Sequence, residues 1–131
     1  MSEPKAGTSY TFERTFTVED VQKFATLSRD TQSRHTVPNE DDRLMVHGLL
    51  TATLPTKIGG DLEVLAHTVE FEFTRPVYTG ETITCTWTTD EVTEREDRYD
   101  LRAVVTAENE ADEVVLRATI DGLVWKEDVD G

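Results

Sequence analysis

The sequence is poor in cysteine, in lysine and in unbroken apolar runs, and each shortage excludes something. Its one cysteine, Cys85, excludes an internal disulfide and any cysteine-based zinc cluster. Cys85 lies in Ile83-Thr84-Cys85-Thr86-Trp87, on the apolar side of an alternating stretch. A buried, inert thiol is expected there rather than a nucleophile. No apolar stretch approaches the roughly 20 residues of a membrane span, and the N-terminus lacks the apolar core of a signal peptide. The expected location is the cytoplasm. Lysine occurs only at Lys5, Lys23, Lys57 and Lys126, so arginine carries most of the positive charge. Bases number 13 against 27 acids, for a formal net charge of -14. A deficit of that size excludes nucleic acid, whose phosphates demand a basic face, and an anionic membrane surface.

The acids are spread along the chain, so their charge belongs to a folded surface. Ordinary solubility is one reading of such a surface. Adaptation to high salt, where repulsion is screened because the Debye length falls to about 3 Å at 1 M, is the favoured one. At 131 residues the expectation is one domain over 1–131, with 1–7 polar and loose.

Tyr10, Phe12 and Phe16 recur with period two and predict a strand. Thr17 then suits a helix N-cap, with Glu19 and Asp20 in the first turn. Val21, Phe24, Ala25 and Ser28 form its apolar stripe, and the helix should stop near Asp30. Thr36 to Arg43 reads as a polar connector, with a short turn at Asn39-Glu40-Asp41-Asp42. His47 to about Ile58 is apolar nearly all round, as in a buried helix; Pro55 should kink it and Gly59-Gly60 end it.

From Leu65 onward the period is two. Leu65, His67, Val69, Phe71 and Phe73 are expected on one face. Arg75 to Gly80 interrupts the ladder. Ile83, Cys85 and Trp87, then Tyr99, Leu101, Ala103 and Val105, then Leu116, Ala118, Ile120 and Gly122 give three further rows. Acidic turns at 90–98 and 108–112 separate them. A sheet apolar on one side must cover something, and the best candidate is the helix beginning at His47. The predicted class is α+β: a curled antiparallel sheet around a central helix, the hot-dog fold.

Two clusters could carry chemistry. Asp30 and His35 lie five residues apart across a helix end, where a carboxylate and an imidazole could hold and deprotonate one water. Spacing alone favours a turn aspartate and a surface histidine. His47-Gly48 opens the buried helix, where free amides and a missing side chain could hold a developing enolate oxygen. Equally, His47 could be a cap and Gly48 a packing residue. His67 reads as a core histidine. No metal site, phosphate loop or serine elbow is indicated.

Ser28-Arg29-Asp30-Thr31-Gln32-Ser33-Arg34-His35, Leu44-Met45-Val46-His47-Gly48-Leu49-Leu50 and Phe73-Thr74-Arg75-Pro76-Val77-Tyr78-Thr79-Gly80-Glu81 occur in that order. They resemble the MaoC-like, (R)-specific enoyl-CoA hydratases, whose motifs run S-G-D-x-N-P-x-H, P-I-V-H-G-M-L and F-x-R-P-V-Y-x-G-D. The resemblance spans nearly the whole chain and overturns the bland reading of Asp30 and His35. It implies that these two form a catalytic acid–base pair adding water to an enoyl thioester. It further implies that the Gly48 amide polarises the thioester carbonyl and that Thr56 lines the acyl pocket. No cofactor is implied; the partners are an acyl-CoA substrate and a second copy in a homodimer, with roles in fatty-acid oxidation or polyhydroxyalkanoate supply. The chain departs from the pattern at Arg29, at Gln32-Ser33 and in a shortened segment 36–46. Those departures keep a non-catalytic thioester-binding or partner-subunit reading open. A hot-dog thioesterase fits less well, because residues 47–58 contain no carboxylate for the central helix.

Overall fold

In the computed structural model the described residues are 3–129. Part of the segment expected to be loose, Met1 and Ser2, lies outside them. Glu3 to Gly7 is held against the sheet: the Gly7 amide donates to the Thr89 carbonyl at 2.7 Å and the Tyr99 hydroxyl to Glu3 at 3.4 Å.

Strand β1 (Ser9–Thr15) leads into helix α1 (Val18–Ser28). The cap expected at Thr17 is a full capping box. Its hydroxyl accepts from the Asp20 amide at 3.1 Å, and the Asp20 carboxylate accepts from the Thr17 amide at 2.9 Å. Val21 and Ala25 are buried, and Arg29 ends the helix in the left-handed region at φ 64°.

The apolar run after His47 forms two consecutive helical pieces, α3 (Gly48–Thr51) and α4 (Thr53–Asp61), divided at Ala52. Pro55 is the cause, since it has no N–H to offer the Thr51 carbonyl four residues back. Threonine hydroxyls occupy neighbouring carbonyls instead: Thr53 donates to Leu50 at 2.6 Å and Thr56 to Ala52 at 3.0 Å. The expected stop at Gly59-Gly60 is not where the helix ends; it continues to Asp61. Gly59 is there for packing, because a Cβ would lie 3.3 Å from the Trp87 indole.

Five strands form one antiparallel sheet in the order β1-β3-β4-β5-β2, with β2 at Leu65–Phe73, β3 at Thr82–Glu94, β4 at Arg98–Glu108 and β5 at Val114–Trp125. The inner rows Ile83-Cys85-Trp87, Leu101-Ala103-Val105 and Leu116-Ala118-Ile120 are buried and cover Leu50, Leu54 and Ile58 of the central helix. This is the hot-dog architecture expected from the sequence. Burial also pushes the Cys85 thiol up to about 12, in keeping with an inert side chain. Among the described residues no helix is long and apolar enough to cross a membrane.

Two expectations about the sheet fail for one reason. A bulge between Ala66 and Thr68 leaves His67 without a partner on β5, so the alternation changes phase there. Ala66, not Leu65 or His67, shares the inner face with Val69 and Phe71, and His67 is exposed beside Asp121 and Arg102 on the outer face. A second bulge, between Thr89 and Glu91, lets β3 run on to Glu94. The turn expected over 90–98 is therefore short, closed by the Arg95 amide on the Arg98 carbonyl at 2.7 Å.

Beside the first bulge β2 comes so near β5 that a Cβ on Gly122 would lie 2.6 Å from the Leu65 carbonyl oxygen. Backbone is the obstacle, so Gly122→Ala should destabilise the fold by about 1–3 kcal/mol, read as a lower midpoint in urea unfolding.

Candidate active site

The loop carrying Asp30 and His35 is shaped by local hydrogen bonds. After Arg29 turns the chain, the Asp30 amide donates to the Ser28 hydroxyl at 3.2 Å. Asp30 Oδ1 then accepts from the Gln32 amide at 3.3 Å and from its side-chain nitrogen at 3.0 Å. Gln32 precedes one helical turn, α2 (Ser33–Thr36), which points the His35 side chain inward. Gln32 thus fixes the loop through its own side chain, at the position where the resembled motif has asparagine.

Three backbone bonds bring the start of the central helix to this loop. The Met45 amide donates to the Arg34 carbonyl at 2.9 Å, the Val46 amide to Val77 at 2.7 Å and the Thr79 amide to Leu44 at 2.9 Å. The buried Thr79 hydroxyl accepts from the Leu44 amide at 3.1 Å. Segment 75–80, read as an interruption of the sheet, is therefore a strap over residues 44–46.

His35 is buried, and its Nδ1 lies 2.7 Å from the Met45 carbonyl oxygen. A carbonyl can only accept, so the hydrogen of the neutral ring is on Nδ1 and Nε2 carries the lone pair. That Nε2 lies 3.8 Å from Asp30 Oδ2. The Gln32 side-chain donor holds the Asp30 carboxyl below the ordinary carboxylate range, so Asp30 is an ionised acceptor at neutral pH. With the His35 ring neutral, two acceptors face one another with no hydrogen between them. A water about 2.8 Å from both atoms would close the triangle by donating one hydrogen to each. Asp30 is 40% exposed at its side chain and open to solvent, whereas His35 is 7% exposed.

Sequence reasoning missed the third member. The His47 ring stacks on His35 with centroids 3.7 Å apart and planes 16° from parallel, and Phe24 meets its edge at 4.9 Å. The cap considered for His47 is not made; no side-chain hydrogen bond caps α3. The histidine preceding Gly48 was the only signal, and spacing does not reveal a stack between residues twelve apart. Ligand atoms of Asp30, His35 and His47 lie within 4.8 Å of one another. Two stacked rings direct their lone pairs in nearly parallel planes instead of toward one point, so the trio suits hydrogen bonding better than a shared ion.

The other two expected site residues line separate clefts. Gly48 opens into one of about 290 Å³ with Thr51, Phe73, Arg75 and Val77; a Cβ there would lie 3.1 Å from the Phe73 ring. Thr56 lines an apolar cavity of about 280 Å³ with Gly59, Val69, Phe71, Trp87 and Ile120, its hydroxyl already bonded to Ala52. The structure thus unites Asp30 and His35, seats Gly48 next in chain to the stacked His47, and leaves Thr56 apart.

No protein-family model and no curated protein sequence matches the chain. Solved structures do match. An (R)-hydratase from A. caviae involved in PHA biosynthesis superposes with a TM-score of 0.81 at 19% identity, over 95% of this chain and 98% of that one. The R-hydratase PhaJ1 from Pseudomonas aeruginosa gives 0.80 at 19% identity, over 93% and 83%. The MaoC-like dehydratase from Rhodospirillum rubrum gives 0.75 at 18% identity, over 93% of each. At these identities the likeness shows the fold.

Arg29→Gly should raise stability by about 0.5–1 kcal/mol, the left-handed penalty of about 1–2 kcal/mol outweighing the extra freedom of unfolded glycine. Urea unfolding reads it directly. Removing the Gln32 side-chain donor in Gln32→Ala, which keeps the backbone amide, should move the Asp30 titration midpoint upward, followed by carboxyl ¹³C NMR. A depressed folded-state value means stability present above the unfolded value and lost as pH falls through the folded one, and that acid-dependent loss should shrink in the variant.

Proposed function

We propose that the protein is an (R)-specific 2-enoyl-CoA hydratase, adding water to a trans-2-enoyl thioester to give the (R)-3-hydroxyacyl product. The observation that carries this reading is the pair of facing acceptors, Asp30 Oδ2 and His35 Nε2, 3.8 Å apart. A water held between them is oriented, polarised and ready to lose a proton. As its oxygen bonds to Cβ, His35 Nε2 takes that proton and the double-bond electrons move through Cα onto the thioester oxygen. The Gly48 amide meets that oxygen; it is the first amide of the helix and has no intrahelical acceptor. The proton then reaches Cα through Asp30, restoring the carboxylate and the neutral imidazole. Water is added and no cofactor is consumed.

The Thr56 cavity, walled by Val69, Phe71, Trp87 and Ile120, supports binding of an acyl chain. Thr56 would serve as wall there. A homodimer is supported by β2, an edge strand whose Leu65, Val69 and Phe73 are 59%, 41% and 47% exposed. The likeness to solved hydratases and a dehydratase supports the reaction class.

Loss of enoyl absorbance with crotonyl-CoA tests the reading, in low salt and, because of the -14 charge, in molar salt. The wild type should turn over and release the (R) product, while Asp30→Asn and His35→Ala should each lose about 10²–10⁴-fold in kcat. Folded wild type that turns over neither short nor medium chains would overturn it in favour of a thioester-binding subunit.

A further inference from the structure

His47 has a feature that the reaction above leaves unexplained. The residue is 3% exposed, and its Nε2 lies 3.0 Å from the Asp30 backbone carbonyl oxygen. That oxygen only accepts, so the hydrogen of the neutral ring sits on Nε2 and the lone pair on Nδ1. Among the described residues Nδ1 has no hydrogen-bond partner. A buried nitrogen without a partner is destabilising, a cost a purely structural site would avoid with an apolar ring.

The geometry points to His47 as a positioning residue for the Asp30–His35 pair, acting at once through its Nε2 bond to the Asp30 carbonyl and through its ring face against His35. The inference rests on the reading of Asp30 and His35 as the acid–base pair. The two functions require a flat ring with one edge donor placed above an imidazole. Phenylalanine has the ring without the donor, and glutamine has the donor without the ring. One bond holds the backbone of Asp30, while the Gln32 donors hold its carboxylate. The stack at 3.7 Å, with Phe24 packed against His47 at 4.9 Å, opposes rotation of the His35 ring about its Cβ–Cγ bond. Rotation would exchange the edges of the ring and turn the lone pair on Nε2 away from Asp30. Opposite tautomers in adjacent rings, Nδ1–H on His35 and Nε2–H on His47, are the signature of this arrangement.

Long-range ¹H–¹⁵N NMR of the imidazoles, at a pH where both are neutral, tests it on the unaltered chain. The expected spectrum has one ring in each tautomer, His35 as Nδ1–H and His47 as Nε2–H, assigned through His35→Gln and His47→Gln. The same tautomer in both rings, or a fast mixture at His35, would overturn the inference whether or not the protein turns over crotonyl-CoA. His47→Gln and His47→Phe, each checked for wild-type circular dichroism, then separate the two contacts. Each should lower kcat about 10- to 100-fold with KM within about twofold, because His47 does not touch substrate, and each should give a mixed His35 tautomer. Folded variants that keep both the wild-type tautomer and the wild-type kcat would reduce His47 to packing. An inactive wild type with the expected tautomers would sink the hydratase reading and leave the positioning geometry standing.

Discussion

Everything in the candidate site hangs on where the backbone of residues 44–46 is pinned. Strap residues 77–79 hold it on one side and Arg34 on the other. That single placement presents the Met45 carbonyl to His35 Nδ1, sets which nitrogen of His35 is free, and delivers His47 into the stack. It also starts the central helix at Gly48, against the Phe73 ring. A backbone oxygen thus determines the chemistry available to a side chain ten residues away. The shortened connector is compatible with this because its turn closes on itself, the Asn39 side chain accepting from the Asp41 and Arg43 amides at 2.9 and 3.0 Å.

The central helix is the other half of the construction. It is less buried than its apolar run suggested: Leu50, Leu54 and Ile58 face the sheet, which curls around them, while Leu49, Lys57 and Asp61 stay exposed on the other side. The pieces meet where threonine hydroxyls bond the Leu50 and Ala52 carbonyls on either side of the Thr51 carbonyl that Pro55 cannot reach. Trp87, fully buried, packs so close to Gly59 that a Cβ there would lie 3.3 Å from the indole and require it to shift by a few tenths of an ångström.

Much of the fold was legible because local rules and tertiary packing agree. The Thr17 box, the period-two rows from Ile83 and the apolar run after His47 each state their element in residues close in sequence. What was illegible depends on partners far along the chain. The phase change at His67 is set by a bulge paired with β5, and Gly122 reveals the close approach only once both strands are placed. The acidic stretch after Thr89 has turn composition, yet a bulge on β3 carries it onward as strand. At the site, the Asp30–His35 pair was visible through motif order, and its geometry was not. The stack of His47 on His35 needs the whole strap to exist. At the two departures from the motif, arginine takes the left-handed turn at a cost, and glutamine reaches the Asp30 carboxylate.

Cys85, sealed among the inner strands with its thiol pushed up to about 12, makes the chain convenient as well as inert. A second cysteine placed on any exposed surface would be the one thiol a maleimide reaches. Spin labels or fluorophores can therefore be attached singly to the native sequence. Distances across β2, between copies if they pair, and from the strap to the loop of Asp30 become measurable without first engineering a native thiol away.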